Sequence, residues 1–100
     1  MITIEGITSE PFQRHVISND DGDVVLVLKY HDVIQMWTID AERNGKQVNG
    51  VKLSTGVRHI QSSLLGVDFA VVSEFNLDPF LIDDFQSGRC TLVMVENGSI

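Results

Sequence analysis

The sequence predicts a mainly β domain: a small antiparallel barrel or sandwich of about seven short strands with one short helix. Three observations carry that prediction. Short runs alternate apolar and polar residues, as in Ile2-Thr3-Ile4 and Trp37-Thr38-Ile39-Asp40-Ala41, at the period of two with which side chains leave opposite faces of a strand. Turn-forming pairs at Asp21-Gly22, Asn44-Gly45 and Asn49-Gly50 separate these runs, and such short gaps admit hairpins but not the crossovers that parallel strands need. No stretch is both long and helically periodic.

Ile2 and Ile4 alternate with Thr3 and Glu5 in a short first strand, and a second runs from Phe12 to Ser18 after Pro11. Asn19-Asp20-Asp21-Gly22 interrupts; Asp-Gly between two apolar runs is a strong hairpin signal, because the tight turn needs positive φ. Asp23 to His31 is the clearest strand, with Val24, Leu26, Leu28 and Tyr30 on one face. Val25 and Val27 make its second face apolar too, which places the strand inside the sheet or sets one face against a partner. Val33 to Ala41 follows, with Trp37, Ile39 and Ala41 on one face and Met36, Thr38 and Asp40 on the other. Trp37 and Ile39 are expected in the core, and Thr38 at the surface or at a contact. Asn44-Gly45 turns the chain, and Asn49-Gly50 turns it again into Val51-Lys52-Leu53. Val57, Ile60, Leu64 and Leu65 fall at helical spacing and give the one short helix, over Val57 to Leu65. Asp68 to Glu74 returns to strand, Asp78 to Gly88 is rich in turn formers, and Arg89 to Glu96 is the last strand before the tail at 97–100.

A chain of 100 residues suits one domain, spanning 1–100, and is too short for two. The net charge of −7, from 14 acidic and 7 basic residues, repels the phosphate backbone of nucleic acids and an anionic membrane surface alike. Cys90 is the single cysteine, so no intrachain disulfide forms, and its surroundings Thr91-Leu92-Val93-Met94-Val95 predict a small buried hydrophobe. The opening Met1-Ile2-Thr3-Ile4-Glu5 alternates at once, without the basic and apolar regions of a secretory leader. No segment reaches the ~20 apolar residues of a membrane span. Synthesis and folding in the cytosol are expected.

No constellation of residues points to catalysis. Asp20, Asp21 and Asp23 lack calcium-loop spacing, with the glycine inside the cluster and strands on both flanks, so they belong to a hairpin. Asp83 and Asp84 are adjacent, and adjacent residues on an extended chain face opposite ways. His15, His31 and His59 show no metal-ligand spacing. Phosphate-cradling glycine loops and nucleophile elbows are missing. Catalytic residues, cofactors and metals are therefore not expected.

What stands out is apolar material among turn formers. The eleven residues from Phe75 to Phe85 hold three Phe, two Leu and one Ile beside Asn76, Asp78, Pro79, Asp83 and Asp84. Such a segment either plugs its own end of the fold or docks on a neighbour. The docking reading makes Phe75, Leu77, Pro79, Phe80, Asp83, Asp84 and Phe85 interface residues.

The chain also resembles the small baseplate plug proteins of contractile-tailed bacteriophages, nearly end to end. The resemblance lies in Ile2-Thr3-Ile4, the Phe12 strand, Leu28-Lys29-Tyr30, Trp37-Thr38-Ile39-Asp40, Gly45, the run Gly50-Val51-Lys52-Leu53-Ser54-Thr55-Gly56-Val57, Leu77-Asp78-Pro79 and Gly88-Arg89. Their order and spacing carry it, since each motif is weak alone. The resemblance implies a non-enzymatic virion component, synthesised in the host cytoplasm and placed on the tail axis at the tube/hub junction of the baseplate. It further implies β-rich subunits in a homo-oligomeric ring that extends or closes the tube and contacts tube, hub and spike proteins. The competing readings are a free-standing β-barrel module binding a small ligand or peptide, and an enzyme of unknown type.

Overall fold

A computed structural model of the chain describes residues 2–18, 22–55 and 65–96. These form seven strands: β1 (Ile2–Thr3), β2 (Phe12–Ile17), β3 (Val24–His31), β4 (Met36–Arg43), β5 (Lys46–Lys52), β6 (Val67–Ser73) and β7 (Cys90–Glu96), with a 3-10 turn at Glu74–Asn76. The strands make two antiparallel sheets, ordered β2-β3-β4-β5 and β1-β7-β6. Of the two expected architectures, the sandwich is the one observed, because the sheets do not close into a barrel. Between them the backbone makes one parallel bridge among the described residues, from Thr55 to Val71.

The core lies where the two inner faces meet. Val24, Leu26, Leu28, Trp37, Ile39 and Ala41 point inward from the larger sheet, and Val67, Phe69, Val71, Cys90, Leu92 and Met94 from the smaller. Each is spaced two residues from the next along its strand, so period-two alternation is sufficient to build both faces. Burying a side chain of this size contributes about 1.5–3 kcal/mol. β3 lies inside its sheet, between β2 and β4, which accounts for a strand apolar on both faces.

Three details differ from the sequence reading. β4 begins at Met36 and not Val33: His31 pairs with Met36, so Asp32-Val33-Ile34-Gln35 is the hairpin turn, with Gln35 at φ +49°. Asn49-Gly50 is a bulge and not a turn. Ile39 pairs with Val51 and Ala41 with Val48, which sets Asn49 and Gly50 together against Asp40. The Asp40 carboxylate accepts a 2.6 Å hydrogen bond from the Gly50 N–H and pairs with Lys29 at 2.9 Å. Burial alone would raise the Asp40 pKa, but these two partners outweigh it and hold the carboxyl below its ordinary value. Thr38, expected at the surface or a contact, is buried within the chain, its hydroxyl 2.9 Å from His31 Nε2. Residues 57–64 of the helix expected over Val57 to Leu65 lie outside the described residues, as do Asp21 of the β2–β3 connection and the tail; Leu65 is described and is buried.

Trp37 is fully buried between Tyr30, at 5.2 Å between ring centroids, and Phe85, at 5.5 Å edge-on. Trp37→Ala is expected to cost about 3–5 kcal/mol by chemical denaturation; a loss below ~1 kcal/mol is incompatible with this packing.

Candidate functional site

One end of the sandwich gathers most of the exposed apolar side chains. The row Phe12–Lys29–Thr38–Lys52 crosses the larger sheet, and just beyond it lies the β3–β4 turn, where Val33 is 91% and Ile34 61% exposed. The smaller sheet ends beside it, with Ser73 paired to Cys90. Between those two residues runs the loop that carries Phe75, Leu77, Phe80, Leu81 and Ile82, all exposed, with Phe75 at 87%.

The loop is joined to both sheets by hydrogen bonds that aromatic and polar side chains supply. Tyr30 Oη donates to the Phe80 carbonyl at 2.8 Å and Trp37 Nε1 to the Leu81 carbonyl at 3.1 Å. Thr55 donates its backbone N–H to Asp78 Oδ1 at 2.9 Å and its hydroxyl to the Asn76 carbonyl at 3.0 Å. Ser73 Oγ donates to the Leu77 carbonyl at 2.6 Å. Buried tyrosine and tryptophan need a partner for their polar ends, and here the loop backbone provides it.

At the centre of the loop is Asp84, 1% exposed. Its Oδ2 accepts from the N–H groups of Phe80 and Leu81, both at 2.7 Å, and from Arg89 Nη2 at 2.6 Å; Oδ1 accepts from Arg89 Nε at 2.8 Å. Arg89 therefore grips the carboxylate with a fork, donates to the Asp78 carbonyl at 3.0 Å, and stacks on Phe80 at 4.9 Å from the ring centroid. Burial pushes the Asp84 pKa up, but the guanidinium and the two backbone N–H groups together outweigh it and hold the carboxyl below its ordinary value near 3.8.

The residues expected at an interface thus divide. Phe75, Leu77, Phe80 and Asp83 are exposed; Pro79, Asp84 and Phe85 are buried and give the loop its shape from beneath. Phe75 adopts φ +59°, a left-handed conformation that costs a bulky side chain about 1–2 kcal/mol, and Asn76 follows at φ +55°. The backbone bears that cost while the ring stays in solvent.

Sequence reasoning misses Val33 and Ile34, because it places both in a strand from Val33 to Ala41. The signal against that strand is Gln35, which a run from 33 to 41 would place on the same face as Trp37 and Ile39. It also left Arg89 without a role and gave no part to Gln13, which is buried and bonds the Thr8 and Glu10 backbone.

Chemistry has little to work with at this end. Desolvation pushes the buried Cys90 thiol up to about 11, far from the thiolate a nucleophile needs. Among the described residues no group of His, Cys, Asp or Glu is arranged to hold a metal, and no helix is long and apolar enough to cross a membrane.

Fold and site together define a small open β-sandwich with a shaped apolar end. The chain belongs to a phage baseplate plug family: the family model described as Cyanophage baseplate Pam3 plug gp18 matches residues 1–97. Membership makes it a structural protein of the tail baseplate. No curated protein matches it.

Because the folded-state pKa of Asp84 lies below its unfolded value, the stability it contributes is complete above that ordinary value and is lost as pH falls through the folded one. Asp84→Asn is expected to cost about 3 kcal/mol at neutral pH, the low end for breaking a buried pair, since the Arg89 side chain keeps 19% exposure. The variant should also show a smaller drop in melting temperature between pH 5 and pH 2; an unchanged acid profile contradicts the assignment. Phe75→Gly relieves the left-handed strain and removes a ring that packs little, so it is expected to leave stability unchanged or raise it by about 1 kcal/mol in urea denaturation.

Proposed function

We propose that the chain is a non-enzymatic plug on the axis of a contractile phage tail, at the junction of tube and hub. It is synthesised in the host cytoplasm, folds as a single domain and assembles as a homo-oligomeric ring with tube, hub or spike proteins. The surface around Phe75, Leu77, Phe80 and Asp83 meets a neighbouring copy or another tail protein, held in shape by Pro79, Asp84 and Phe85.

The observation that carries this reading is the apolar end itself. Its side chains stay in solvent on a backbone fixed by Asp84, Arg89, Tyr30 and Trp37, so docking demands little further ordering. Apolar surface concentrated on one end of a small domain marks an interface. Membership of the baseplate plug family over residues 1–97 supplies the setting. The acidic charge suits an axial position, because a channel that passes DNA should not retain it. A ligand carrier of the β-barrel type is disfavoured by the open sandwich.

Phe80→Ser tests the reading. The variant is expected to keep its melting temperature within a few degrees and to lose assembly with purified tube, hub and spike proteins in sedimentation velocity. A variant that melts early yet assembles fully while folded contradicts docking through this loop.

A further inference from the structure

We infer that the apolar end seats in an apolar recess ringed by lysine and arginine on an unlike polypeptide, and not on a second copy of this chain; this rests on the docking reading above. The contact surface is wider than the loop. The Tyr30–Phe80 and Trp37–Leu81 hydrogen bonds fasten the loop to the hairpin that carries Val33 and Ile34, so Val33, Ile34, Phe80, Leu81 and Ile82 form one platform.

The charge around this platform identifies what fits it. Asp32, Glu74 and Asp83 are exposed at its edge, and Asp32 and Asp83 enter no ion pair among the described residues. The cations nearby each face an acid of this chain: Lys29 pairs with Asp40 at 2.9 Å, Arg89 with Asp84 at 2.6 Å, and exposed Lys52 lies 3.9 Å from Asp78, with Glu74 also within reach of the Arg89 charge. The edge therefore presents net negative charge around apolar surface. A complementary partner supplies positive charge there, which sets orientation and speeds encounter.

A second copy has little to offer in return. Of the chain's 7 basic residues, three are paired as above, and Arg43 is buried, donating to the Gly22 and Leu65 carbonyls. Arg58 lies outside the described residues, and Arg14 and Lys46 remain. Among the surface recesses of the described residues, one carries Glu5, another sets Arg14 against Asp40 and Glu42, and a third carries Asp68. None of these three is ringed by cations, and a ring of acids meeting acids is repulsive in a chain of charge −7.

The test combines two variants and three probes: the purified tube, hub and spike proteins of the same tail, each titrated against the full chain by biolayer interferometry. Val33→Ser/Ile34→Ser removes apolar contact at residues already in solvent, and Asp32→Lys/Glu74→Lys/Asp83→Lys reverses the edge. We expect one probe to bind at 50 mM salt, to bind at least tenfold more weakly at 500 mM, and to lose at least tenfold in affinity with either variant. If the hairpin variant, and Phe80→Ser with it, binds all three probes as the parent does, the docking reading itself fails. If those variants weaken binding but charge reversal and salt do not, docking stands and the basic partner is wrong. Self-association of the parent that the hairpin variant abolishes makes a second copy the occupant and overturns the inference.

Discussion

The fork between Arg89 and Asp84 is the constraint on which the end of the sandwich depends. A carboxylate this deeply buried is tolerable only because all of its capacity is used: two backbone N–H groups and two guanidinium nitrogens converge on it. The pair in turn determines the path of the chain from Leu77 to Cys90. It ties Phe80 and Leu81 to the strand that follows, while the Cys90 N–H returns to the Asp84 carbonyl at 2.9 Å. With the backbone so held, the carbonyls of Phe80 and Leu81 sit where Tyr30 and Trp37 can reach them. Remove the charge pair and the polar ends of two core aromatics lose their partners as well.

The segment from Phe75 to Phe85 is built in two layers. Pro79, Asp84 and Phe85 close the end of the core, and Phe85 stacks edge-on against Trp37. Phe75, Leu77 and Phe80 face out over that closure. An inner layer that is rigid and an outer layer that is apolar is how a small fold presents a surface without destabilising itself.

Much of the fold was legible because its signals are local. Alternation in Val24 to Tyr30 and in Trp37 to Ala41 was enough to name the inner face of the larger sheet, and Asn44-Gly45 was read as the turn it is. What escaped depended on pairing between strands. Asn49-Gly50 looks the same in a turn and in a bulge; only the register against Ile39 and Ala41 distinguishes them. The site was legible in composition but not in orientation. Nothing in Asp78-Pro79-Phe80 says which side chain points inward, because the loop's path is held by Arg89, beyond the end of the segment. The motifs by which the chain resembles its family are explained on the same terms. Asp40 accepts from the bulge at Gly50, Thr55 bonds Asp78, and Arg89 grips Asp84, so residues within those motifs tie separate segments together.

The bulge at Asn49-Gly50 bears on how such a protein avoids the wrong kind of assembly. β5 is the last strand of the larger sheet, and an outermost strand with an unpaired row of amides invites strand-to-strand addition, which propagates without limit. The extra residue opposite Asp40 breaks the even spacing of those amides, and Lys46 and Lys52 stand exposed at the two ends of the strand. A neighbour that tried to continue the sheet would find its hydrogen-bonding register interrupted halfway. Growth by sheet extension is thereby discouraged at this edge.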